Sequence, residues 1–172
     1  MTTIIQHAAR FEPSLPPGSF HALVNSLQAG LEWIEIDIIP LKNGDFALLH
    51  DPQLEHVSNG VGKVYEKSAL ELQEFVYLSE DNQEGIYHLG TLRQAVKLIS
   101  DSDYKSKIQL DLKPYAPLSE PIVEGLLKDI EPVKEHFMIS CVADWALRTL
   151  RRLDSSIQLG FDPLLYFDVV ST

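Results

Sequence analysis

Apolar and polar residues alternate with a period of two between Leu31 and Ile39, and this alternation predicts a β-strand. The isoleucines of the strand share one face, while the carboxylates of Glu35 and Asp37 share the other face. Two carboxylates that lie two residues apart on one face repel each other, so their burial requires a compensating positive group. A half-buried strand that turns its polar face to water is an equally good interpretation of this stretch by itself.

The same pattern divides the rest of the chain into alternating strands and helices. Short apolar runs predict further strands at residues 3–7, 46–49, 108–113, 136–142 and 157–161. Apolar residues at spacings of three and four predict helices at residues 19–30, 68–75, 91–100, 121–130 and 144–153. Strands that alternate with helices are typical of βα units in a parallel sheet or barrel. We therefore expect one α/β domain over residues 1–172.

Ionisable residues collect toward the carboxyl ends of the first four predicted strands. They are His7 on the first strand, Glu35 and Asp37 on the second, His50 and Asp51 after the third, and Asp111 and Lys113 on the fourth. In (β/α)8 barrels the active site lies at that end and draws its residues from several strands. A lone histidine at a strand end is more often a packing residue, and Asp111 with Lys113 is equally consistent with an internal ion pair. The order along successive strands is more specific than its parts, and it predicts one site.

Composition limits the partners of such a site. The net charge of −11 argues against a nucleic-acid interface, because no basic stripe is present to meet a phosphate backbone. An anionic substrate would then need a bound cation that inverts the local field. No signal peptide opens the chain, and no apolar run approaches the ~20 residues of a membrane span. The single cysteine, Cys141, lies in an apolar run, which predicts a buried thiol in a reducing, cytoplasmic protein.

Three carboxylates and two histidines make up the predicted chemistry. Glu35, Asp37 and Asp111 would bind one divalent cation, and all-oxygen ligation fits Mg²⁺, Ca²⁺ or Mn²⁺ better than zinc. His7 and His50 would act as a general acid–base pair, one activating the attacking oxygen and the other protonating the departing oxygen. The cation would neutralise the charge that develops on a phosphoryl group.

Taken together, these motifs resemble those of the glycerophosphodiester phosphodiesterase family over nearly all of the chain. The matching motifs are His7, Glu35-Ile36-Asp37, Lys42-Asn43-Gly44, His50-Asp51-Pro52, Asn59-Gly60-Val61-Gly62, Thr91-Leu92, Asp111-Leu112-Lys113, Ile139-Ser140 and Leu150-Arg151-Arg152-Leu153. The resemblance implies a TIM-type (β/α) barrel that hydrolyses small phosphodiester substrates. It implies glycerol 3-phosphate and an alcohol as the products, and a divalent cation as the cofactor.

The chain also departs from the family at positions that matter for catalysis. Ala8 stands where the family has the arginine that grips the phosphate, and Arg10 is the nearby candidate for that substrate contact. Lys113 would add a second point charge beside the phosphate, while Asp111 is one methylene shorter than the family's glutamate. Two alternatives therefore stay open. One is a barrel phospholipase D-like lipid phosphodiesterase, which needs an apolar rim that the sequence does not show. The other is a catalytically weak relative that binds a phosphorylated ligand or a partner chain.

The number of strands is a further departure. Six strands can be counted, whereas the family barrel has eight and typically takes about 200–250 residues. We therefore expect an incomplete barrel in this chain. Its first and sixth strands, at residues 3–7 and 157–161, would be open edges. We expect such edges to be completed by a longer native chain, by a partner or by self-association.

Overall fold

Strands and helices alternate along the computed structural model, which describes residues 3–79, 84–115 and 118–162. The strands are β1 (Trp33–Pro40), β2 (Phe46–Leu48), β3 (Val76–Leu78), β4 (Glu84–His88), β5 (Lys107–Leu112), β6 (Phe137–Cys141) and β7 (Gln158–Phe161). The α-helices are α1 (Phe20–Gln28), α2 (Ala69–Glu74), α3 (Leu92–Ser100), α4 (Glu120–Ile130) and α5 (Asp144–Leu153). The five predicted helices are therefore confirmed. Within the described ranges, no helix has the length and apolar character needed to cross a bilayer.

Five of these strands form one sheet in the order β2–β1–β5–β6–β7. β1, β5, β6 and β7 run parallel to one another, and helices α3, α4 and α5 lie between them in the sequence. β2 instead turns back antiparallel to β1, after a tight turn in which Gly44 has a φ of +79°. Glycine adopts this backbone conformation at little cost. The predicted α/β architecture is confirmed, and the sheet is an incomplete TIM-type barrel.

The predicted first strand is confirmed at one residue only. Gln6 pairs in parallel with β1, where its N–H donates to the carbonyl of Trp33 at 3.0 Å. The next residues, His7–Ala9, form a 3-10 turn instead of continuing the strand. Ala8 and Ala9 have φ angles of 52° and 47°, and a left-handed backbone cannot continue a β-strand. The chain therefore leaves the sheet at His7.

An antiparallel hairpin of β3 and β4 was not predicted from the sequence. It lies between the short helix α2 and the start of α3. β3 contains only three residues, and β4 contains a glycine, so neither shows a clear period of two. The hairpin adds a small two-stranded sheet beside the main one.

Apolar side chains pack into two clusters. In the larger cluster, helices α1, α3, α4 and α5 cover one face of the main sheet, and Ile34, Ile36 and Ile38 of β1 are fully buried there. The smaller cluster packs β2, α2 and β3 around side chains such as Leu54 and Leu72. The isoleucines of β1 therefore face the helices, as the alternation predicts, and Glu35 and Asp37 point to the opposite face.

Strand register places polar residues side by side on that opposite face. Asp37 of β1 pairs with Asp111 of β5, Asp111 pairs with Ser140 of β6, and Ser140 pairs with Gly160 of β7. Adjacent strands lie ~4.7–4.9 Å apart, so the side chains of Asp37, Asp111 and Ser140 lie next to one another. The row runs along the carboxyl ends of the parallel strands.

Candidate active site

Three carboxylates converge at the carboxyl ends of β1 and β5. Glu35, Asp37 and Asp111 each offer a carboxylate oxygen within 4.8 Å of the others. Their residues are only 6%, 3% and 5% exposed. Buried carboxylates at this spacing repel one another strongly, so the arrangement requires positive charge. The three side chains therefore converge on one point, as the sequence predicts.

One positive group already lies inside the cluster. Lys113 Nζ is 2.9 Å from Asp37 Oδ1 and 2.6 Å from Asp111 Oδ2, and its side chain is 16% exposed. Burial lowers the pKa of Lys113, but its contacts with the Asp111 and Asp37 carboxylates more than offset this and raise the pKa above its ordinary value. The internal ion pair that the sequence left open is therefore formed. A single ammonium group does not balance three carboxylates.

The donor set of this cluster fits a hard divalent cation. Carboxylate oxygens are the ligands that Mg²⁺, Ca²⁺ and Mn²⁺ prefer. Asp37 Oδ1 is buried and, among the described residues, takes part in no hydrogen bond of good geometry, although Lys113 Nζ is close enough for an ion pair. A buried oxygen without a hydrogen-bond donor is costly, which makes it a suitable ligand atom.

His7 contacts the cluster from the solvent side. Its Nδ1 lies 2.7 Å from Glu35 Oε2, and its side chain is 82% exposed whereas that of Glu35 is 8% exposed. The Ala8 N–H donates to the same Oε2 at 2.7 Å. Burial raises the pKa of Glu35; the Ala8 N–H and His7 act in the opposite direction but do not cancel this rise. Because Glu35 engages Nδ1, the other ring nitrogen of His7 is the one available for proton transfer.

His50 reaches the same end of the sheet from the segment that follows β2. The N–H of Leu49 donates to the carbonyl of Asp37 at 3.1 Å, which ties this segment to the carboxyl end of β1. His50 itself is exposed. The adjacent Asp51 is held by His56, whose Nδ1 lies 2.8 Å from Asp51 Oδ2. Both predicted histidines therefore lie on the turns beside the carboxylate cluster.

Known proteins similar to this chain were found by sequence and by structure. No protein-family model matches the chain. A curated glycerophosphodiester phosphodiesterase of Caldanaerobacter subterraneus subsp. tengcongensis is 26% identical over 171 residues, which cover 96% of this chain and 67% of that protein. A solved Oleispira antarctica phosphodiesterase, in complex with the product sn-glycerol-3-phosphate, is 26% identical with a TM-score of 0.73. A solved glycerophosphoryl diester phosphodiesterase of Parabacteroides distasonis is 24% identical with a TM-score of 0.70. The chain is similar to glycerophosphodiester phosphodiesterases in both sequence and fold.

The chain spans only part of the length of the proteins that it matches. The Oleispira and Parabacteroides matches each include 91% of this chain, and they cover 64% and 52% of those two structures. The incomplete sheet agrees with this partial coverage. Every residue of the predicted site lies within the described part of the chain.

Two positions that depart from the phosphodiesterase family lie in the turn after Gln6. The carbonyl of Ala8 accepts the Gly18 N–H at 2.6 Å, and this contact helps to close the left-handed turn that aims the Ala8 N–H at Glu35. Arg10 is exposed, and its N–H donates to the carbonyl of His7 at 3.1 Å. Within the described residues, the Arg10 guanidinium forms no ion pair. Its contact with a substrate stays a prediction.

Polar residues that the sequence did not predict as site residues also contact the site. The hydroxyl of Ser140 donates to Asp111 Oδ1 at 3.1 Å, and Gln109 Nε2 donates to the Ser140 oxygen at 2.9 Å. His56 contacts Asp51 as described above. Gln109 lies two residues before Asp111, so the period of two was a signal that could have identified it. No sequence signal brings Ser140 to Asp111, since their contact depends on the pairing of β5 with β6.

Proposed function

We propose that this protein hydrolyses glycerophosphodiesters to glycerol 3-phosphate and an alcohol with a bound divalent cation. The observation that carries the proposal is the convergence of three buried carboxylates at the strand ends beside His7 and His50. The similarity to glycerophosphodiester phosphodiesterases supports the same reaction class. The Oleispira relative was solved with sn-glycerol-3-phosphate as its product, which is the product expected here.

Glu35, Asp37 and Asp111 would hold the cation, and Mg²⁺, Ca²⁺ and Mn²⁺ all suit this set of oxygen ligands. When bound, such a cation neutralises negative charge on phosphoryl oxygens and orients the phosphate. Lys113 balances part of the carboxylate charge and supplies a further positive group beside the phosphate. Arg10, on the turn that follows His7, would contact the phosphate from the solvent side.

His7 and His50 would move the protons of the reaction. One histidine takes a proton from the attacking water, whose oxygen forms the new bond to phosphorus. The other gives a proton to the alcohol oxygen as its bond to phosphorus breaks. The contact between Glu35 and Nδ1 keeps the His7 ring oriented, which leaves Nε2 for the proton transfer. The exposure of both histidines lets them reach a substrate that lies over the carboxylates.

The release of glycerol 3-phosphate from glycerophosphocholine tests this proposal. We expect no release in excess EDTA and recovery on addition of Mg²⁺, Ca²⁺ or Mn²⁺. Glu35→Gln should need a higher metal concentration for half-maximal activity, because it loses one charged ligand. Full activity in EDTA, or an unchanged metal requirement of Glu35→Gln, would contradict the proposal. A protein that binds glycerol 3-phosphate but never hydrolyses the diester would instead be the catalytically weak relative.

One observation favours a second candidate, a lipid phosphodiesterase. Among the described residues, the exposed large aromatic side chains all lie at or after the carboxyl ends of the parallel strands, or after the turn that follows Gln6. They are Phe11, Tyr115, Trp145 and Phe161, which are 51%, 42%, 49% and 60% exposed. The exposed large aliphatic side chains are Ile4, Val61, Leu70 and Ile86, of which Leu70 lies on α2 and Ile86 on β4. Aromatic side chains at this end supply the apolar rim that an acyl chain would contact.

Two substrates that differ only in an acyl chain separate the candidates. For a lipid phosphodiesterase, kcat/KM should be higher for lysophosphatidylcholine than for glycerophosphocholine. Trp145→Ala should then lower kcat/KM for the acylated substrate alone. Leu70→Ala, which removes an exposed aliphatic side chain elsewhere, should change neither value. An equal effect of Trp145→Ala on both substrates would exclude the lipid candidate.

A further inference from the structure

Two polar residues connect the third carboxylate of the cluster to the neighbouring strand. Ser140 is 2% exposed and ends in a hydroxyl that donates to Asp111 Oδ1 at 3.1 Å. Gln109 donates from Nε2 to the oxygen of that hydroxyl at 2.9 Å. The in-register pairing of Asp111 with Ser140 brings the serine to the carboxylate, and the period of two puts Gln109 on the same face.

The donors in this chain of hydrogen bonds are the amide nitrogen of Gln109 and the hydroxyl of Ser140. The amide nitrogen of Gln109 can only donate, so the Ser140 oxygen is an acceptor in that contact. The single hydroxyl proton of Ser140 is then free to point at Asp111. If the amide oxygen of Gln109 faced the serine instead, it would compete with Asp111 for that proton. The arrangement therefore delivers one donor to Asp111 Oδ1.

The Asp111 carboxylate is consequently held at both of its oxygens. Ser140 donates to Oδ1, while Lys113 Nζ lies 2.6 Å from Oδ2 and donates there. An ionised carboxylate accepts about four hydrogen bonds or metal contacts in total, so both oxygens keep lone pairs for a cation. Contacts at both oxygens prevent the carboxylate from turning about its bond to the side chain. Asp37 Oδ1, in contrast, has only the ion pair with Lys113 among the described residues.

We infer that Ser140, itself oriented by Gln109, is a positioning residue that fixes the Asp111 carboxylate for cation binding. This inference rests on the cation site of the proposed function. Ser140 acts through Asp111 and touches neither the cation nor the substrate. Groups that hydrogen-bond to metal ligands orient those ligands, and their removal typically weakens metal affinity about 10–100-fold.

Direct titration of the apo-protein with Mn²⁺ tests the inference without any activity assay. Free Mn²⁺ is measured by its electron paramagnetic resonance signal, and the dissociation constant follows for each variant. Ser140→Ala should bind Mn²⁺ about 10–100-fold more weakly than the parent protein. Ser140→Thr keeps the hydroxyl and should restore most of the affinity. Gly160, which pairs with Ser140 on β7, has no side chain to compete with the added methyl group.

Matched variants separate positioning from a general loss of stability. Ser58 is also 2% exposed, and its hydroxyl donates to the Leu54 carbonyl at 2.9 Å in the smaller apolar cluster. Ser58→Ala therefore removes a comparable buried hydrogen bond away from the site, and it should bind Mn²⁺ like the parent. Gln109→Met should weaken Mn²⁺ binding less than Ser140→Ala does. If Ser140→Ala fails to fold, the Mn²⁺ affinity of Gln109→Met tests the positioning role instead.

Each outcome of this titration is decisive. Parent-like affinity of Ser140→Ala, or of Gln109→Met when Ser140→Ala fails to fold, would overturn the inference and leave the proposed function standing. An equal loss in Ser58→Ala would also overturn it, because the effect would then be general. If the parent binds no Mn²⁺, or if Asp111→Asn binds it as tightly as the parent, the proposed cation site is wrong and the inference falls with it.

Discussion

The candidate site has a buried half and an exposed half that are held in different ways. The buried half consists of Glu35, Asp37, Asp111 and Lys113, whose positions follow from the register of β1 with β5 and from ion pairs of 2.6–2.9 Å. The exposed half consists of the turns that carry His7 and His50. Backbone hydrogen bonds place these turns, and the His7 side chain itself is 82% exposed.

This difference separates stability from chemistry. Charges in the buried half interact across a medium of low polarity, so removal of one partner leaves the others unbalanced. Side chains in the exposed half make few contacts, so their removal should hardly change the fold. Variants of the buried half should therefore change the free energy of unfolding, and variants of the exposed half should change turnover.

The largest expected effect is on turnover in the exposed half. His7→Ala and His50→Ala should each lower kcat on glycerophosphocholine about 10²–10⁴-fold, which is the usual size of a general acid–base contribution. Their unfolding midpoints in urea should stay close to that of the parent. His88→Ala, an exposed histidine on β4, should retain nearly full turnover. A His50→Ala protein with parent activity would remove His50 from the mechanism.

The next effect is on stability in the buried half. Lys113→Met leaves three buried carboxylates without their ammonium group, and in EDTA it should lose about 3 kcal/mol of unfolding free energy. Added Mn²⁺ should restore part of this loss, because a ligand that binds only the folded state stabilises it. The control is Lys97→Met, which breaks the exposed Lys97–Asp101 pair and should cost only ~0.5 kcal/mol. Equal losses in the two variants, measured by urea unfolding, would show that the cluster is not tightly coupled.

The same division explains what could be predicted from the sequence. The period of two in β1 and β5 is a local property, and it was enough to predict that Glu35, Asp37 and Asp111 share one face. The Ser140 contact depends on which strands are neighbours, and no local pattern contains that information. The turn at Ala8 and Ala9 was missed for another reason: alanine rarely adopts a positive φ, so nothing in its sequence indicates a left-handed turn. The β3–β4 hairpin lacks alternation and was missed as well.

A smaller effect is the pH dependence of the free energy of unfolding. Its sign is opposite for Glu35 in the buried half and for Asp51 beside the exposed half. Burial, reinforced by Asp37 and Asp111, raises the pKa of Glu35 above its ordinary value of 4.5. Ionisation of Glu35 therefore opposes folding, and stability is lost as pH rises from about 4.5 through the raised pKa. In EDTA, Glu35→Gln should be more stable than the parent at pH 7, and this advantage should vanish toward pH 4.

Asp51, beside the exposed half, supplies the opposite case. Partial burial works against its ionisation, but the Gln53 N–H and His56 outweigh burial and lower the pKa of Asp51 below 3.8. Its ionised form therefore stabilises the fold above pH 3.8, and that contribution is lost as pH falls through the lowered pKa. Asp51→Asn should be less stable than the parent at pH 7, with a difference that shrinks on acidification. Urea unfolding from pH 7 down to about pH 2.5 covers both titrations. A stability change of the same sign in Glu35→Gln and Asp51→Asn at pH 7 would contradict the opposite environments of the two carboxylates.

The smallest expected effect tests the turn that carries His7. Ala8 has a φ of 52°, a conformation that costs a residue with a side chain about 1 kcal/mol and costs glycine almost nothing. Ala8→Gly should therefore stabilise the protein by about 0.5–1 kcal/mol, which raises the melting temperature by roughly 1–4 °C for a domain of this size. Ala29 has an ordinary φ of −71° after α1, so Ala29→Gly should instead destabilise by about 0.5 kcal/mol. The Ala8 N–H is retained in the variant and should still donate to Glu35. Thermal unfolding of the two variants gives opposite signs if the left-handed turn is real, and a loss in both would place His7 on a different backbone from the one described.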